Sequence, residues 1–260
     1  MKKITTTIPI LIIALGLILS GCSKNSTQDN DTTNDEIFAA ARVDADTTVL
    51  ECIDDNNQMC DWFVGGMGPL ALSDSVEIDS TDFWHIFIRN FQNDYITHSV
   101  ADSFRFTDID GEYQYRPDST TNQFERRLKK FFEKEARGNG TSWTKERNRN
   151  MLWVGLADSV TVLNGDIYRY HHGENEYRDF SREFEGDFLD VKFYSEDIYN
   201  GRPTHPFEGT LAGSTFVDKE VNGQTLHIEA SLTVTFYPDH FHVLLQSGDS
   251  YREWDHYYQP

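Results

Sequence analysis

The last third of the chain alternates apolar and polar residues around two tight-turn signals, and this pattern constrains the fold most strongly. Asn222-Gly223 is a two-residue hairpin signal, and pairing around it sets Val217 opposite Ile228. A turn at Pro238-Asp239 adds a third strand whose apolar residues fall on the same face. The other predicted pairs are Thr215–Ala230, Leu232–Leu245, Val234–Val243 and Phe236–Phe241. The sequence therefore predicts a three-stranded antiparallel meander.

Turn signals also occur earlier, at Asp110-Gly111 and Asn164-Gly165, where further hairpins are plausible. Two segments favour helices. Thr120 and Gln123 form a capping box before an apolar stripe at i, i+4 spacing that ends at Gly138. The segment 83–95 has apolar residues that fit a helical face, although its aromatic and Ile content also favours a strand. We predict an α+β fold, an antiparallel sheet or partial barrel in the C-terminal half with one or two packed helices.

The N-terminus has the features of an export signal. Lys2 and Lys3 precede an apolar stretch, Ile8 to Leu19, that is too short to span the ~30 Å hydrocarbon core of a bilayer as a helix. We therefore expect the chain to leave the cytoplasm.

The residues that follow, Leu19-Ser20-Gly21-Cys22, resemble the lipobox of bacterial lipoproteins. That resemblance implies removal of residues 1–21 and diacylation of Cys22. By analogy with lipoprotein sorting, Ser23 implies transfer to the outer membrane if the bacterium has one. Whether the domain would face the periplasm or the cell surface is left open.

Composition divides the remaining chain into two parts. Residues 22–48 are rich in Ser, Thr, Asn and Asp and have few large apolar side chains, so we expect a flexible acidic tether there. Residues 49–260 are long enough for a single α+β domain with a substantial core.

Two cysteines remain once Cys22 is assigned to lipid. Because an exported chain reaches an oxidising compartment, we predict a disulfide between Cys52 and Cys60. Two cysteines alone do not make a metal site, and we expect neither a metal nor another cofactor. His240 and His242 alternate on one strand, but the neighbouring His227 pairs with Asp218, too far away to complete a ligand set.

The chain carries a net charge of −20, which excludes nucleic acid as a favoured partner. Residues 126–149 reverse this sign locally and form the best candidate contact surface. Its main residues are Arg126, Arg127, Lys129, Lys130, Arg147 and Arg149. The segment could meet anionic polysaccharide, lipid headgroups or an envelope protein, or it could complement the acidic remainder of its own domain.

One short motif suggests an enzyme. Residues 77–82, Glu-Ile-Asp-Ser-Thr-Asp, resemble the Glu-x-Asp-x-x-Glu signature of laminarinase-like glycoside hydrolases. The resemblance implies Glu77 as nucleophile, with Asp79 beside it and Asp82 in the place of the acid/base glutamate. Asp82 has a shorter side chain than that glutamate, and a solvated strand-to-helix boundary is the alternative reading.

These patterns lead to one main expectation and one alternative. The main expectation is a lipid-anchored cell-envelope protein without enzymatic activity that acts as a binding or structural module for a glycan or an envelope protein. The alternative is an anchored extracytoplasmic glycoside hydrolase that uses Glu77 with Asp79 or Asp82.

Overall fold

The structure is a computed structural model, and it describes residues 29–65, 76–78, 83–138, 140–175, 178–202, 204–221 and 224–258. These residues form two helices and twelve strands. In chain order they are α1 (Asp29–Gly65), β1 (Val76–Ile78), β2 (His85–Gln92), β3 (Ile96–Asp108), β4 (Tyr113–Gln114), β5 (Thr121–Lys134), β6 (Ser142–Val154), β7 (Val160–Asn175), β8 (Arg178–Tyr194), α2 (Ser195–Tyr199), β9 (Glu208–Val221), β10 (Gln224–Phe236), β11 (His240–Ser247) and β12 (Ser250–Tyr257).

All twelve strands belong to one antiparallel sheet whose order follows the chain, with only the short β4 placed off the main path beside β3. The α+β prediction is therefore confirmed, although the sheet extends through β1–β6 as well as the C-terminal half. The predicted meander is also confirmed, because β9, β10 and β11 pair in the predicted register.

Helix α1 lies against one face of the sheet, which we call the inner face; the opposite face is the outer face. The α1 side chains Phe38, Ala45, Val49, Cys52 and Met59 are buried in the main apolar core. Their spacing of three, four or seven residues places them on one side of the helix.

The sheet curves around α1. Trp254 on β12 donates an indole N–H to Asp46 (3.3 Å), while Arg147 on β6 pairs with Glu51. On a flat sheet, the six strand spacings from β6 to β12 would amount to ~29 Å. Asp46 and Glu51 are only ~7.5 Å apart along the helix axis. One short stretch of helix thus contacts strands from distant parts of the sheet.

The apolar core fills the end of the sheet nearer α2. Phe106, Phe124 and Trp153 occupy neighbouring inner-face positions there and have no exposed surface. Tyr199 of α2 donates its hydroxyl hydrogen to the backbone carbonyl of Thr121 (2.9 Å) and so ties α2 to this end. Strands β5–β8 have 13–17 residues each and continue well beyond this core.

Both predicted helices in the sheet region are wrong. Residues 121–134 form strand β5, and most of the 83–95 segment forms strand β2. The Asn164-Gly165 hairpin is also wrong, because β7 passes through these residues with a register shift between Leu163 and Gly165. The Asp110-Gly111 turn is present: Asp108 Oδ1 accepts hydrogen bonds from the backbone N–H groups of Asp110 and Glu112, each at 2.9 Å.

The structure also differs from the predicted tether and disulfide. Helix α1 begins at Asp29, inside the tether segment 22–48, and Phe38, Ala45 and Thr48 are buried in the domain. Cys52 and Cys60 are buried eight residues apart on this helix and are not joined. Eight residues of helix separate the Cα atoms by ~12 Å, whereas a disulfide requires about 4.4–6.8 Å. The disulfide prediction is wrong.

Neither helix in the described part of the chain has the length and apolarity that crossing a membrane requires.

Candidate functional site

Basic side chains from four neighbouring strands form two adjacent rows on the inner face, in the part of β5–β8 beyond the apolar core. Cross-strand pairing aligns the members of each row, and because the rows are two residues apart on each strand, they share one face. The first row is Lys130, Arg147 and Arg169, and the second is Lys145, His171 and Arg182.

These two rows line a cavity of about 330 Å³, which we call the cationic cavity. Val43 and Thr47 of α1 contribute to the cavity from the helix, and Phe132 and Phe184 add aromatic surface from the sheet. Among the described residues that line the cavity, Glu146 is the only acidic one. The cavity therefore combines a row of cationic side chains with an apolar surface.

Glu51 of α1 supplies an anion beside the cavity. One carboxylate oxygen pairs with the guanidinium of Arg147 and the other with that of Arg149, while Arg169 lies 3.9 Å from the first oxygen. Arg169 also donates to the hydroxyl oxygen of Thr48 (3.0 Å). Arg149 is 3 % exposed, and this pairing offsets part of the free-energy cost of burying its guanidinium. The helix therefore holds a carboxylate among three guanidinium groups.

The remaining positive charges affect one another's protonation. Partial burial and the charges of Arg182, Arg147 and Arg169 lower the pKa of Lys145 below its ordinary value. Burial, together with Lys145 and the neighbouring arginines, lowers the pKa of His171 to about 4. Both shifts have the direction expected where positive charge is dense and partly dehydrated. An anion in the cavity would reverse the electrostatic part of both shifts.

The low pKa of His171 predicts a specific pH dependence of stability. Lys145, Arg169, His172 and Arg182 surround the imidazole and disfavour its protonation. An unperturbed histidine has a pKa of about 6.5, so the unfolded chain binds more protons between that pH and about 4. The free energy of unfolding should therefore fall as the pH is lowered through this interval, by about 1–2 kcal/mol after allowance for solvent screening.

Urea denaturation across this pH interval measures the effect. The variant His171→Phe keeps an aromatic ring beside Trp143 and Phe180, whose rings the imidazole contacts, and should lose this component of the pH dependence. The exposed His227 provides the control variant His227→Gln, which should retain it. An unchanged pH dependence in His171→Phe would contradict the assignment.

The six basic residues predicted as one contact surface lie on both faces of the sheet. Lys130, Arg147 and Arg149 belong to the cationic cavity or its Glu51 contact. Arg126 also faces inward, but it forms a bidentate pair with Asp102, with contacts of 3.0 and 2.6 Å.

Arg127 and Lys129 project from the outer face. Arg127 pairs with Glu125 (2.8 Å) and its guanidinium lies 4.4 Å from the ring centroid of Trp84. Lys129 is exposed and has its register partner at Asn148. The local charge reversal in the sequence thus identified the two strands, β5 and β6, but did not identify which side chains line the cationic cavity.

The sequence analysis missed Glu51, Arg169, His171 and Arg182 as site residues. Arg169 and His171 alternate on β7, and Arg182 pairs with His171 across β8, but their relation to Lys130 appears only through sheet register. No local charge run marks them. Alternating cations on consecutive strands would have been the only available signal.

The residues suggested for glycoside hydrolysis are only partly described. Glu77 lies on the edge strand β1 opposite Ile86, and Asp79 and Asp82 lie outside the described residues. On β11, His240 contacts the side chain of the preceding residue, Asp239 (2.7 Å). His242 contacts Asp255 on the neighbouring strand β12 (2.8 Å). No group of three or more His, Cys, Asp or Glu side chains in the described ranges could hold a metal ion.

Cys22 and the lipobox-like segment also lie outside the described residues. Comparison with protein-family models, with curated proteins and with solved structures found no match.

Proposed function

We propose that this chain is a lipid-anchored cell-envelope protein, without enzymatic activity, that binds an anionic ligand in the cationic cavity. The observation that supports the proposal is the concentration of five Lys and Arg side chains in one cavity of a chain with net charge −20. Bringing like charges together in a partly dehydrated cavity costs free energy, and a bound anion offsets that cost.

The pair between Arg126 and Asp102 shows how this sheet stabilises an inner-face cation for structural purposes. In that pair, one guanidinium donates two hydrogen bonds to one carboxylate. In the cationic cavity, by contrast, Glu51 serves three arginines at once, and two lysines and Arg182 lie beside them. The Glu51 cluster thus differs from the one-to-one pair of Arg126 with Asp102.

Lipid anchoring is supported by the lipobox-like segment and is compatible with the position of α1. Six residues lie between Cys22 and Asp29, so seven residue steps limit the distance between an acylated cysteine and the start of α1 to ~25 Å. The domain would therefore lie close to the membrane surface. Mass spectrometry of the mature protein tests this part: the expected result is an N-terminal acylated Cys22, and an intact Met1 would contradict it.

Anion binding is tested by thermal unfolding with phosphate, sulfate, acetate or neutral glucose at constant ionic strength. We expect the anions, but not glucose, to raise the melting temperature. In Lys130→Gln the apparent affinity should fall roughly tenfold, because a charged hydrogen bond contributes about 1.5–3 kcal/mol. Lys129→Gln is the matched control, since Lys129 lies on the outer face of the same strand. Equal loss in both variants would contradict the proposed site.

A further inference from the structure

The outer face of the sheet carries an open groove of about 420 Å³, which we call the outer groove. Two cross-strand rows on β2, β3, β5 and β6 line it. The first row is Asn90, Ser99, Phe131 and Glu146, and the second is Ile88, Ala101, Lys129 and Asn148. Val100 and Lys130 also border the groove, but register turns their side chains to the inner face. The outer groove and the cationic cavity therefore lie on opposite sides of the sheet.

Short side chains on β3 create the groove and leave apolar surface on both sides of it. Ser99 and Ala101 lie between Ile88 on β2 and Phe131 on β5. Ile88 is 47 % exposed, and Phe131 is half-buried. A ligand that covers these two side chains would remove apolar surface from water, which is favourable.

The β6 side of the groove supplies fixed polar groups. Glu146 lies opposite Phe131, and Asn148 lies two residues further along the same strand. The side-chain amide of Asn148 donates a hydrogen bond to the carboxylate of Glu146 (2.8 Å), which orients both groups. The amide oxygen and the carboxylate oxygens retain further capacity to accept hydrogen bonds. Asn90 places a second amide on the β2 side. Hydrogen-bonding groups therefore flank the apolar surface.

The charges of the groove favour a neutral ligand. Among the described outward-facing residues that line the outer groove, Lys129 and Glu146 are the only two with charged side chains, and their charges are opposite. A charged ligand would be repelled by one of them, whereas an uncharged ligand would not. The net charge of −20 of the whole chain further disfavours a polyanion.

Aromatic rings lie on both sides of the polar pair. On β7, Tyr170 follows Glu146 and Tyr168 follows Asn148 in the same cross-strand rows, and both tyrosines are half-buried. The strands that carry Phe131 and Tyr170 are two spacings apart, ~9.6 Å. A sugar ring has an apolar C–H face surrounded by hydroxyl groups. Aromatic rings with an amide and a carboxylate between them match that chemistry.

We propose that the outer groove binds a neutral oligosaccharide, with one sugar ring packed against Phe131 and its hydroxyl groups hydrogen-bonded to Glu146 and Asn148. The volume of the groove lies within the range of about 300–1,000 Å³ found for ligand pockets. Because the groove is open, a longer chain would continue across β6 towards Tyr168 and Tyr170. This inference goes beyond the proposed anion-binding function and does not depend on it.

Isothermal titration of the full chain in a polyoxyethylene detergent, which has no sugar headgroup, tests the inference. The probes are neutral hexasaccharides of glucose, mannose or galactose. At least one should bind with a Kd below about 1 mM, and the affinity should be similar at about 0.1 and 1 M salt, because no ion pair is involved. Glucose should bind much more weakly, since one sugar unit covers little of the groove. Failure of all the hexasaccharides to bind overturns the inference.

Two variants with matched controls locate the binding site. Phe131→Leu and Asn148→Ala should each weaken hexasaccharide binding roughly tenfold, because they remove the aromatic ring or a hydrogen-bonding group. Phe131→Tyr keeps the ring and should retain the affinity. The controls are Phe216→Leu and Asn150→Ala, which change the same residue types on the outer face outside the groove. Equal loss in the variants and their controls would exclude the outer groove as the site.

Saturation-transfer NMR separates ligand contact from a structural role. Irradiation of the aromatic protons of the protein should transfer saturation to the sugar ring protons of the bound hexasaccharide. At saturating ligand, the transfer should fall in Phe131→Leu and remain in Phe216→Leu. Equal transfer in these two variants would contradict the contact with Phe131.

The outcomes also separate this inference from the proposed function. If no hexasaccharide binds but phosphate or sulfate still raises the melting temperature, the oligosaccharide site is wrong and anion binding stands. If a hexasaccharide binds and no anion has an effect, the outer groove stands and the proposed function of the cationic cavity is wrong.

Discussion

Replacing Glu51 with glutamine should lower the free energy of unfolding by about 3–5 kcal/mol in buffer free of multivalent anions. The substitution keeps the size of the side chain and removes the charge that neutralises Arg147 and Arg149. Arg149 is almost fully buried, so water cannot compensate for the lost carboxylate. Urea denaturation of the variant and the wild type measures the difference.

The control for this prediction is Asp54→Asn, which removes an exposed carboxylate from the same helix. It should change the free energy of unfolding by about 0.5 kcal/mol or less. Phosphate should restore part of the stability of Glu51→Gln, because an anion in the cationic cavity replaces part of the negative charge that the substitution removes. Equal stability of Glu51→Gln and Asp54→Asn would contradict a structural role for the Glu51 cluster.

Truncating Trp153 to alanine should destabilise the fold by about 3–5 kcal/mol. Trp153 has no exposed surface, and its ring centroid lies 5.1 Å from that of Phe124 in the core near α2. Within the described part of the chain, its indole N–H is buried without a hydrogen-bond partner. Trp153→Phe should therefore cost much less than Trp153→Ala, because the loss of packing is smaller and an unsatisfied donor is removed.

Leu152→Ala provides the comparison on the same strand, since Leu152 faces outward and is 37 % exposed. Leu152→Ala should lower the free energy of unfolding much less than Trp153→Ala does. Circular dichroism during urea titration follows all three variants. A Trp153→Phe variant as unstable as Trp153→Ala would show that the indole N–H has a partner that this account lacks.

The C-terminal meander was predictable because its signals are local. The Asn-Gly turn signal at 222–223 predicts the register, and strict alternation then sets Val217 opposite Ile228 and Val234 opposite Val243, as the structure has them. Strand polarity and register therefore followed from sequence over β9–β11.

Strand β5 was mistaken for a helix because two cations occupy inward-facing positions along it. Phe124, Leu128 and Phe132 face inward, but the inward positions between them are Arg126 and Lys130. These cations interrupt the apolar alternation of a strand and leave apolar residues at i, i+4 spacing, which is typical of a helix. The cations on the inner face thus made the strand pattern hard to recognise in the sequence.

Helix α1 was missed for a related reason. Its buried side includes Ala45, Thr48 and Asn56, which are small or polar and give little apolar signal. Polar composition then favoured a tether where the structure has a helix that brings Glu51 to the sheet. The site could not be predicted as a whole, because Glu51 meets Arg147 and Arg149 only through a contact spanning almost a hundred residues of chain.

Native mass spectrometry of the protein extracted from the cells that produce it tests the central claim most directly. We expect a bound small anionic molecule that is retained by the wild type and by Lys129→Gln and is lost from Arg182→Gln. A bound molecule retained equally by Arg182→Gln, or a wild-type protein that carries none and takes up none when phosphate is added, would contradict the proposed anion site.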